Sequence, residues 1–262
     1  MLKVHKSYIP NSRLVTIKTA ALCLVFTINI FLYDAQVLAA SKVVVSDNFR
    51  VVGRSGVDQE MLEEISKAFE KAYAEVTEKL GLTRYKSCKI EVIIVSEYQR
   101  YRADAYRWDS VIRVPLETYK EDISGGVFQH ELTHILIDTA MPSAPTWFHE
   151  GLAMYIERGF PEEGVPKEEI NFRAAKKIFK DKFSFKELEA DFRRPKEEWF
   201  SYQLSYNIVS YLIDKRGFDK IKELFNTRGH FRKRFKKVYG ESLDDFEAHL
   251  NRIIEEERSR KP

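Results

Sequence analysis

The sequence predicts an α+β protein in which a small β-sheet and one helix come first and a mostly helical half follows. Segments rich in β-branched residues lie before residue 120, and one long amphipathic segment separates the first of them from the others. From Gly125 onward the apolar residues recur at the spacing of a helix. No stretch has the composition of a linker between independent units, so residues 41–262 are expected to form a single domain.

The first elements are a β-rich segment and an amphipathic helix. Lys42–Val52 has the composition of a strand or of a pair of strands. Within Gly56–Leu82 the apolar residues keep the three-to-four spacing that places them on one face of a helix. Asp58 is suited to cap the start of this helix and Gly81 to end it.

Two further strands are predicted before the helical half. Lys89–Ser96 is β-rich and partly alternating, which is typical of a strand. The charged segment Glu97–Trp108 is interpreted as a loop. Ser110–Leu116 is a shorter strand, and its Pro115 cannot donate a ladder hydrogen bond, which favours an edge or terminal position.

The second half of the chain is predicted to consist of helices. They are expected at Val127–Thr139, Thr146–Gly159, Asn171–Asp181, Trp199–Gly217, Asp219–Thr227 and Leu243–Ser259. The basic run His230–Lys237 is expected to form the solvated face of a helix, in preference to a phosphate site.

The N-terminus, residues 1–40, is predicted to be an export signal. Basic residues precede the uncharged run Thr19–Tyr33, and small residues suited to cleavage follow near Ala39 or Ala40. Such a run would form a helix of roughly 22 Å, shorter than a hydrocarbon core of roughly 30 Å. A cleaved signal peptide is therefore favoured, and an uncleaved membrane anchor is the alternative. In both cases the remainder of the chain is expected outside the cytoplasm.

Charge and cysteine content exclude several classes of function. The formal net charge of +3 arises in the leader, so the mature chain is about neutral and no nucleic-acid partner is expected. Of the two cysteines, Cys23 lies in the leader and Cys88 remains. An intramolecular disulfide and a cysteine-based zinc finger are therefore excluded, and Cys88 is expected to be buried and inert.

The stretch HELTH carries the residues of a candidate metal site. His130 and His134 are four residues apart, so on a helix they differ by about 40° and a rise of roughly 6 Å and lie on one face. Two imidazoles placed in this way can bind one Zn²⁺. Glu131 points about 100° away from His130, where it could take a proton from water instead of binding the metal.

The alternative is a pair of structural histidines, and the surrounding residues weigh against it. The predicted helix is apolar around most of its circumference, so it must be largely buried. Unpaired polar groups in such a place cost several kcal/mol, and a metal would satisfy the histidines together.

A third protein ligand is needed if one zinc position is left for water. A metzincin-type site would place glycine and histidine shortly downstream, where this chain has Ile137 and Ala140. The next helix offers Glu150, sixteen residues after His134, with His149 as a rival. The small side chains of Gly151 and Ala153 are expected to let this helix approach the HELTH helix closely.

HELTH followed by W-x-x-E-G-x-A resembles the gluzincin metallopeptidases, which include thermolysin and the glutamate-ligand aminopeptidases. It is most similar to the bacterial peptidase MA-like domains, and the specific match covers Gly126–Glu157. The resemblance implies a zincin-like fold and one Zn²⁺ per chain. It further implies His130, His134 and Glu150 as the metal ligands, in preference to His149, and Glu131 as the general base.

The resemblance also implies a tyrosine or histidine from a later helix that stabilises the oxyanion. Tyr202, Tyr206 and Tyr211 are the candidates, and Tyr202 matches best in sequence position. Tyrosines at helical spacing are also typical of a core, which is the alternative. Asp138 is a weaker candidate, as the hydrogen-bond partner of a zinc histidine. A solvated carboxylate at a helix end is favoured for it.

These observations predict a zinc-dependent metallopeptidase that hydrolyses peptide or protein substrates outside the cytoplasm, with attachment to the membrane through the leader as an option. The chain has no G-x-M-E-N segment of the kind that anchors a free amino terminus, and Ser110–Leu116 would bind an extended substrate as an edge strand. Both points favour an endopeptidase. The alternatives are an exported, zinc-stabilised binding module without catalysis, and a metal-free envelope protein.

Overall fold

A computed structural model of the chain describes residues 42–53, 57–82, 89–95, 104–106, 110–121, 126–157, 182–193 and 198–260. The predicted leader, Cys88 and the predicted helix Asn171–Asp181 lie outside these residues. Within them, none of the helices combines the length and the apolar character that crossing a membrane requires.

The strands of the described residues are β1 (Lys42–Val45), β2 (Phe49–Gly53), β3 (Ile90–Val95), β4 (Asp104–Tyr106) and β5 (Val111–Pro115). They form one sheet in the order β1-β2-β3-β5-β4. The three inner strands are parallel, and β1 and β4 run antiparallel to their neighbours. Val51, Val92 and Ile112 lie opposite one another across the inner strands and are fully buried, so the register sets up one apolar face.

The predicted strands are present, but the edge position expected for Ser110–Leu116 is wrong. β5 lies between β3 and β4, and the edge is formed by β4, within the segment interpreted as a charged loop. A strand of three residues is too short for alternation to reveal it. Pro115 is the last residue of β5 and pairs with Val95 at the end of β3, so its missing N–H falls at a strand terminus.

The helices of the described residues are α1 (Gln59–Leu80), α2 (Leu116–Glu121), α3 (Gly126–Ala140), α4 (Thr146–Glu157), α5 (Phe185–Asp191), α6 (Glu198–Arg216), α7 (Phe218–Asn226), α8 (Phe231–Tyr239) and α9 (Leu243–Arg260). Predicted helices that fall in the described residues are present, and the α+β class is confirmed. Asp58 caps α1 by accepting a hydrogen bond from the N–H of Met61 at 2.7 Å, and Gly81 ends it with a φ of 67°.

The sequence analysis did not predict two of these helices, and for a third it predicted only the solvated face. α2 and α5 have six and seven residues, too few for a periodic pattern. The basic run belongs to α8, whose buried face includes Phe231 and Phe235. Most basic side chains of the run are exposed, as expected, but Arg234 is buried and donates hydrogen bonds to the backbone oxygens of Gly229 and Leu224.

α3 lies between the sheet and the helical half and packs on both. Phe128 and Leu132 join the cluster formed by the sheet and α1, where the rings of Phe128 and Phe69 stack with centroids 4.2 Å apart. Leu136 and Ile137 belong to the second cluster, formed by the later helices. Packing on two sides explains why α3 is apolar around most of its circumference.

The close helix approach expected at Gly151 is present, but its partner is α6 and not α3. A Cβ on Gly151 would overlap the backbone oxygen of Ser205 and would lie 2.6 Å from Cγ2 of Val209. Only glycine permits the backbones of α4 and α6 to meet at this point. The prediction assigned the small residue to the wrong neighbour because helix pairing depends on contacts distant in sequence.

Gly151→Ala is expected to lower the free energy of unfolding by about 1–3 kcal/mol, because the added methyl group forces the two backbones apart. Gly53→Ala is the matched control, since its Cβ would meet the Leu62 methyl groups at 2.9 and 3.0 Å and Cβ of Val57 at 3.1 Å, which are side-chain atoms and not backbone, so its loss of stability should be smaller. Urea denaturation of both variants measures the difference. Equal stability of Gly151→Ala and wild type would contradict this account.

Candidate metal centre

Helices α3 and α4 run antiparallel and bring the candidate residues into register. The short connection 141–145 is closed by a hydrogen bond from Ala144 N–H to the oxygen of Met141 at 2.8 Å. Three pairs of side chains then face each other along the two helices. These pairs are Asp138 with His149, His134 with Glu150, and His130 with Glu157.

Three ligand atoms converge between the two helices. Nε2 of His130 and Nε2 of His134 are 3.1 Å apart. Oε2 of Glu150 lies 3.4 Å from Nε2 of His134 and 3.7 Å from Nε2 of His130. Their side chains are 9 to 17 % exposed. The structure therefore brings together the three residues whose type and spacing suggest a metal site, as a group that could hold an ion.

The group fits a zinc ion by geometry and by donor chemistry. Tetrahedral bonds of about 2.0–2.1 Å separate the ligand atoms by about 3.3–3.4 Å, and the three observed distances bracket this value. Two imidazole nitrogens and one carboxylate oxygen are a ligand set that suits zinc. Without a cation, three strong polar groups would face one another in a nearly dry site, which is costly.

The pKa values of His130 and Glu150 are shifted in opposite directions by the groups around them. Burial by itself would lower the pKa of His130, but hydrogen bonds to Glu150 and Glu157 and the charge of Glu131 raise it to about 10. Burial opposes ionisation of Glu150, yet His134 and His130 hold the pKa of its carboxyl below the ordinary value. Both shifts arise from the close approach of imidazoles on α3 and carboxylates on α4.

Glu157 is a residue of this site that the sequence reasoning missed. Its Oε2 lies 2.9 Å from Nδ1 of His130, the ring nitrogen that is not part of the ligand group. Glu157 follows Glu150 by seven residues, which is two helical turns and places both on the same face of α4. That spacing is the signal from which it could have been found.

Glu131 is buried and directly follows the first histidine of the ligand group. It is not a member of that group. Its charge reaches His130, whose pKa it helps to raise. Its role as the general base stays a prediction.

His149, the rival third ligand, lies outside the ligand group and beside it. It is buried, its Nε2 is 3.5 Å from Oδ1 of Asp138, and its ring lies 5.8 Å from that of His134. Asp138, for which a solvated helix-end carboxylate was favoured over a partner of a zinc histidine, thus lies beside His149 with its side chain 17 % exposed. Adjacent residues of a helix face different directions, which explains why Glu150 and not His149 joins the group.

The three candidate tyrosines lie on α6 in different surroundings. Tyr202 is half-buried and packs edge-on against Phe192, with ring centroids 5.5 Å apart. Tyr206 is buried in the helical cluster. The hydroxyl of Tyr211 lies 2.7 Å from Nε2 of His249, which places Tyr211 at the contact of α6 with α9. The role of Tyr202 stays a prediction.

Comparison with known proteins agrees with this arrangement. The model of the peptidase MA superfamily matches residues 68–255. The match includes the inner strands β3 and β5, the ligand group and most of the helical half. A search of the curated proteins found no match. Because the match spans well over half of the sequence, the chain belongs to the peptidase MA superfamily.

Proposed function

We propose that this protein is a zinc-dependent endopeptidase of the gluzincin type that acts outside the cytoplasm. Membership of the peptidase MA superfamily and the metal-binding group support a metallopeptidase-like function. The observation that carries the proposal is the triangle formed by His130, His134 and Glu150, with edges of 3.1 to 3.7 Å. It lies between two buried helices of a chain that belongs to a family which is generally zinc-dependent.

In the proposed mechanism His130, His134 and Glu150 would hold one Zn²⁺, which when bound supplies Lewis-acid activation of water and of the substrate carbonyl. Glu131 accepts the proton of the water as its oxygen attacks the scissile carbonyl carbon. It then delivers that proton to the leaving nitrogen, so the proton balance closes within one turnover. Tyr202 donates a hydrogen bond to the carbonyl oxygen while negative charge develops there.

The edge of the sheet supports the endopeptidase part of the proposal. Among the described strands β4 forms the edge of the sheet, and an edge strand can pair through its outer backbone groups with an extended peptide. β4 also contacts α3, the helix that carries the two histidines. A peptide added to β4 would lie at the sheet edge on the side of this helix, and an extended peptide bound by its backbone can continue in both directions. This role, expected for Ser110–Leu116, therefore passes to Asp104–Tyr106.

The predicted leader supports a location outside the cytoplasm, where the partner would be a peptide or protein substrate. Residues 1–40 combine a basic start, an uncharged run and small residues, which is typical of export. We infer a periplasmic or secreted enzyme, with membrane attachment if the leader is retained. Its partner is a peptide or protein substrate. The neutral mature chain offers no basis for nucleic-acid binding.

Cleavage of an unfolded protein by the mature chain, residues 41–262, tests the proposal. Zinc-loaded protein is expected to produce internal fragments detectable by mass spectrometry. Removal of zinc with a chelator should stop cleavage, and added zinc should restore it. Zinc-loaded protein that retains peptides without cleaving them would instead indicate a binding module. Products shortened by single residues from one end would contradict the endopeptidase assignment.

A further inference from the structure

The contact between His130 and Glu157 has a consequence for metal binding. A carboxylate only accepts hydrogen bonds, so Nδ1 of His130 must carry a proton to interact with Oε2 of Glu157 at 2.9 Å. In a neutral imidazole the lone pair then resides on Nε2. Nε2 is the atom that lies 3.1 Å from Nε2 of His134 and 3.7 Å from Oε2 of Glu150. The contact thus favours the tautomer that a metal ion requires.

We propose that Glu157 is a positioning residue that holds the His130 ring in its metal-binding tautomer and orientation and thereby raises the affinity for zinc. The inference rests on the proposed zinc site. A histidine ring turns readily about χ2, so an unanchored ring would lose rotational freedom when it binds metal. Glu157 provides the anchor before the metal arrives.

The two histidines differ in how they are anchored. His134 is the more buried of the two, with 9 % of its side chain exposed against 17 % for His130. Its Nδ1 has no hydrogen-bond partner among the described residues. Packing therefore orients His134, whereas His130, nearer the surface, is oriented by a charged hydrogen bond.

α4 carries both the ligand and the anchor. Glu150 and Glu157 are seven residues apart and project from one face of this helix toward α3. α4 itself is held against α6 at Gly151, where the backbones meet. One rigid helix thus provides a carboxylate to each side of the His130 ring. Glu157 is not a fourth ligand in this geometry, because it contacts the ring nitrogen that faces away from the group.

Zinc affinity of Glu157 variants, measured by competition with a chromophoric chelator, tests the inference. Glu157→Ala is expected to bind zinc about 10- to 100-fold more weakly than wild type. Glu157→Gln should lose less, because its amide oxygen can still accept the Nδ1 proton. Glu187→Gln, an exposed change on α5, is the matched control and should bind as wild type.

A second readout separates positioning from a general loss of structure. In the zinc-loaded wild type the Nδ1 proton of His130 should give a slowly exchanging resonance in the imidazole region of the NMR spectrum. That resonance should persist in Glu157→Gln and disappear in Glu157→Ala. If Glu157→Ala binds zinc within a factor of two of wild type, the inference is overturned while the proposed function stands. Wild-type protein that binds no zinc would overturn both.

Discussion

Glu131→Gln is expected to lower the rate of peptide hydrolysis by about 10²- to 10⁴-fold while zinc stays bound. The amide has almost the shape of the carboxylate, so the buried position tolerates it. It cannot accept the proton of the attacking water, and this removes the general base. Because Glu131 is outside the ligand group, the zinc content should remain about one ion per chain.

Zinc content by elemental analysis and initial cleavage rates on the same samples measure this result. Glu256→Gln is the matched control, since Glu256 is an exposed carboxylate on α9. It should leave both quantities unchanged. If Glu131→Gln cleaves as fast as wild type, Glu131 has no role as base. If wild type holds zinc but never cleaves any peptide, the binding-module alternative is favoured.

His134→Ala is expected to reduce zinc from about one ion per chain to nearly none in protein purified from zinc-replete cells. The variant leaves two ligand atoms, which are too few to retain the ion at a catalytic site. It also removes the ring nitrogen that lies 3.4 Å from Oε2 of Glu150. The negative charge of the Glu150 carboxyl would then be less well compensated in a nearly dry site. Because the metal is lost, hydrolysis is expected to be lost with it.

Elemental analysis of the variant beside wild type decides this prediction. His230→Ala is the matched control, because His230 is exposed and its side chain makes no capping hydrogen bond at the start of α8. A zinc content near one in His134→Ala would show that the ion binds elsewhere. Absence of zinc from both wild type and variant would contradict the metallopeptidase proposal.

The histidine part of the site was predictable because its spacing is set by local geometry. His130 and His134 lie four residues apart, and a helix places such residues on one face whatever surrounds it. The third member required the resemblance, since nothing local distinguishes Glu150 from its neighbour His149. The structure places Glu150 in the group and His149 beside Asp138. That choice depends on how α4 is rotated against α3.

The sheet shows the same division between local and distant information. Lys89–Ser96 and Ser110–Leu116 were recognisable as strands by composition, but their order was not. The interior position of β5 depends on β4, whose three residues carry no periodic pattern of their own. Pairing between strands is decided by contacts between residues distant in the chain. Residue type alone therefore assigned the edge of the sheet to β5, where the structure has β4.

By itself the sequence determined the α+β class, the caps of α1 and the helix that carries HELTH, because each follows from spacing and residue type over a few turns. Only the tertiary structure decided that Gly151 meets α6, that β4 forms the edge among the described strands, and that Glu157 contacts His130. These features join residues 27 to 58 positions apart, or depend on strand order. No local pattern records them, since the physical cause is packing between elements whose pairing is settled by the whole fold.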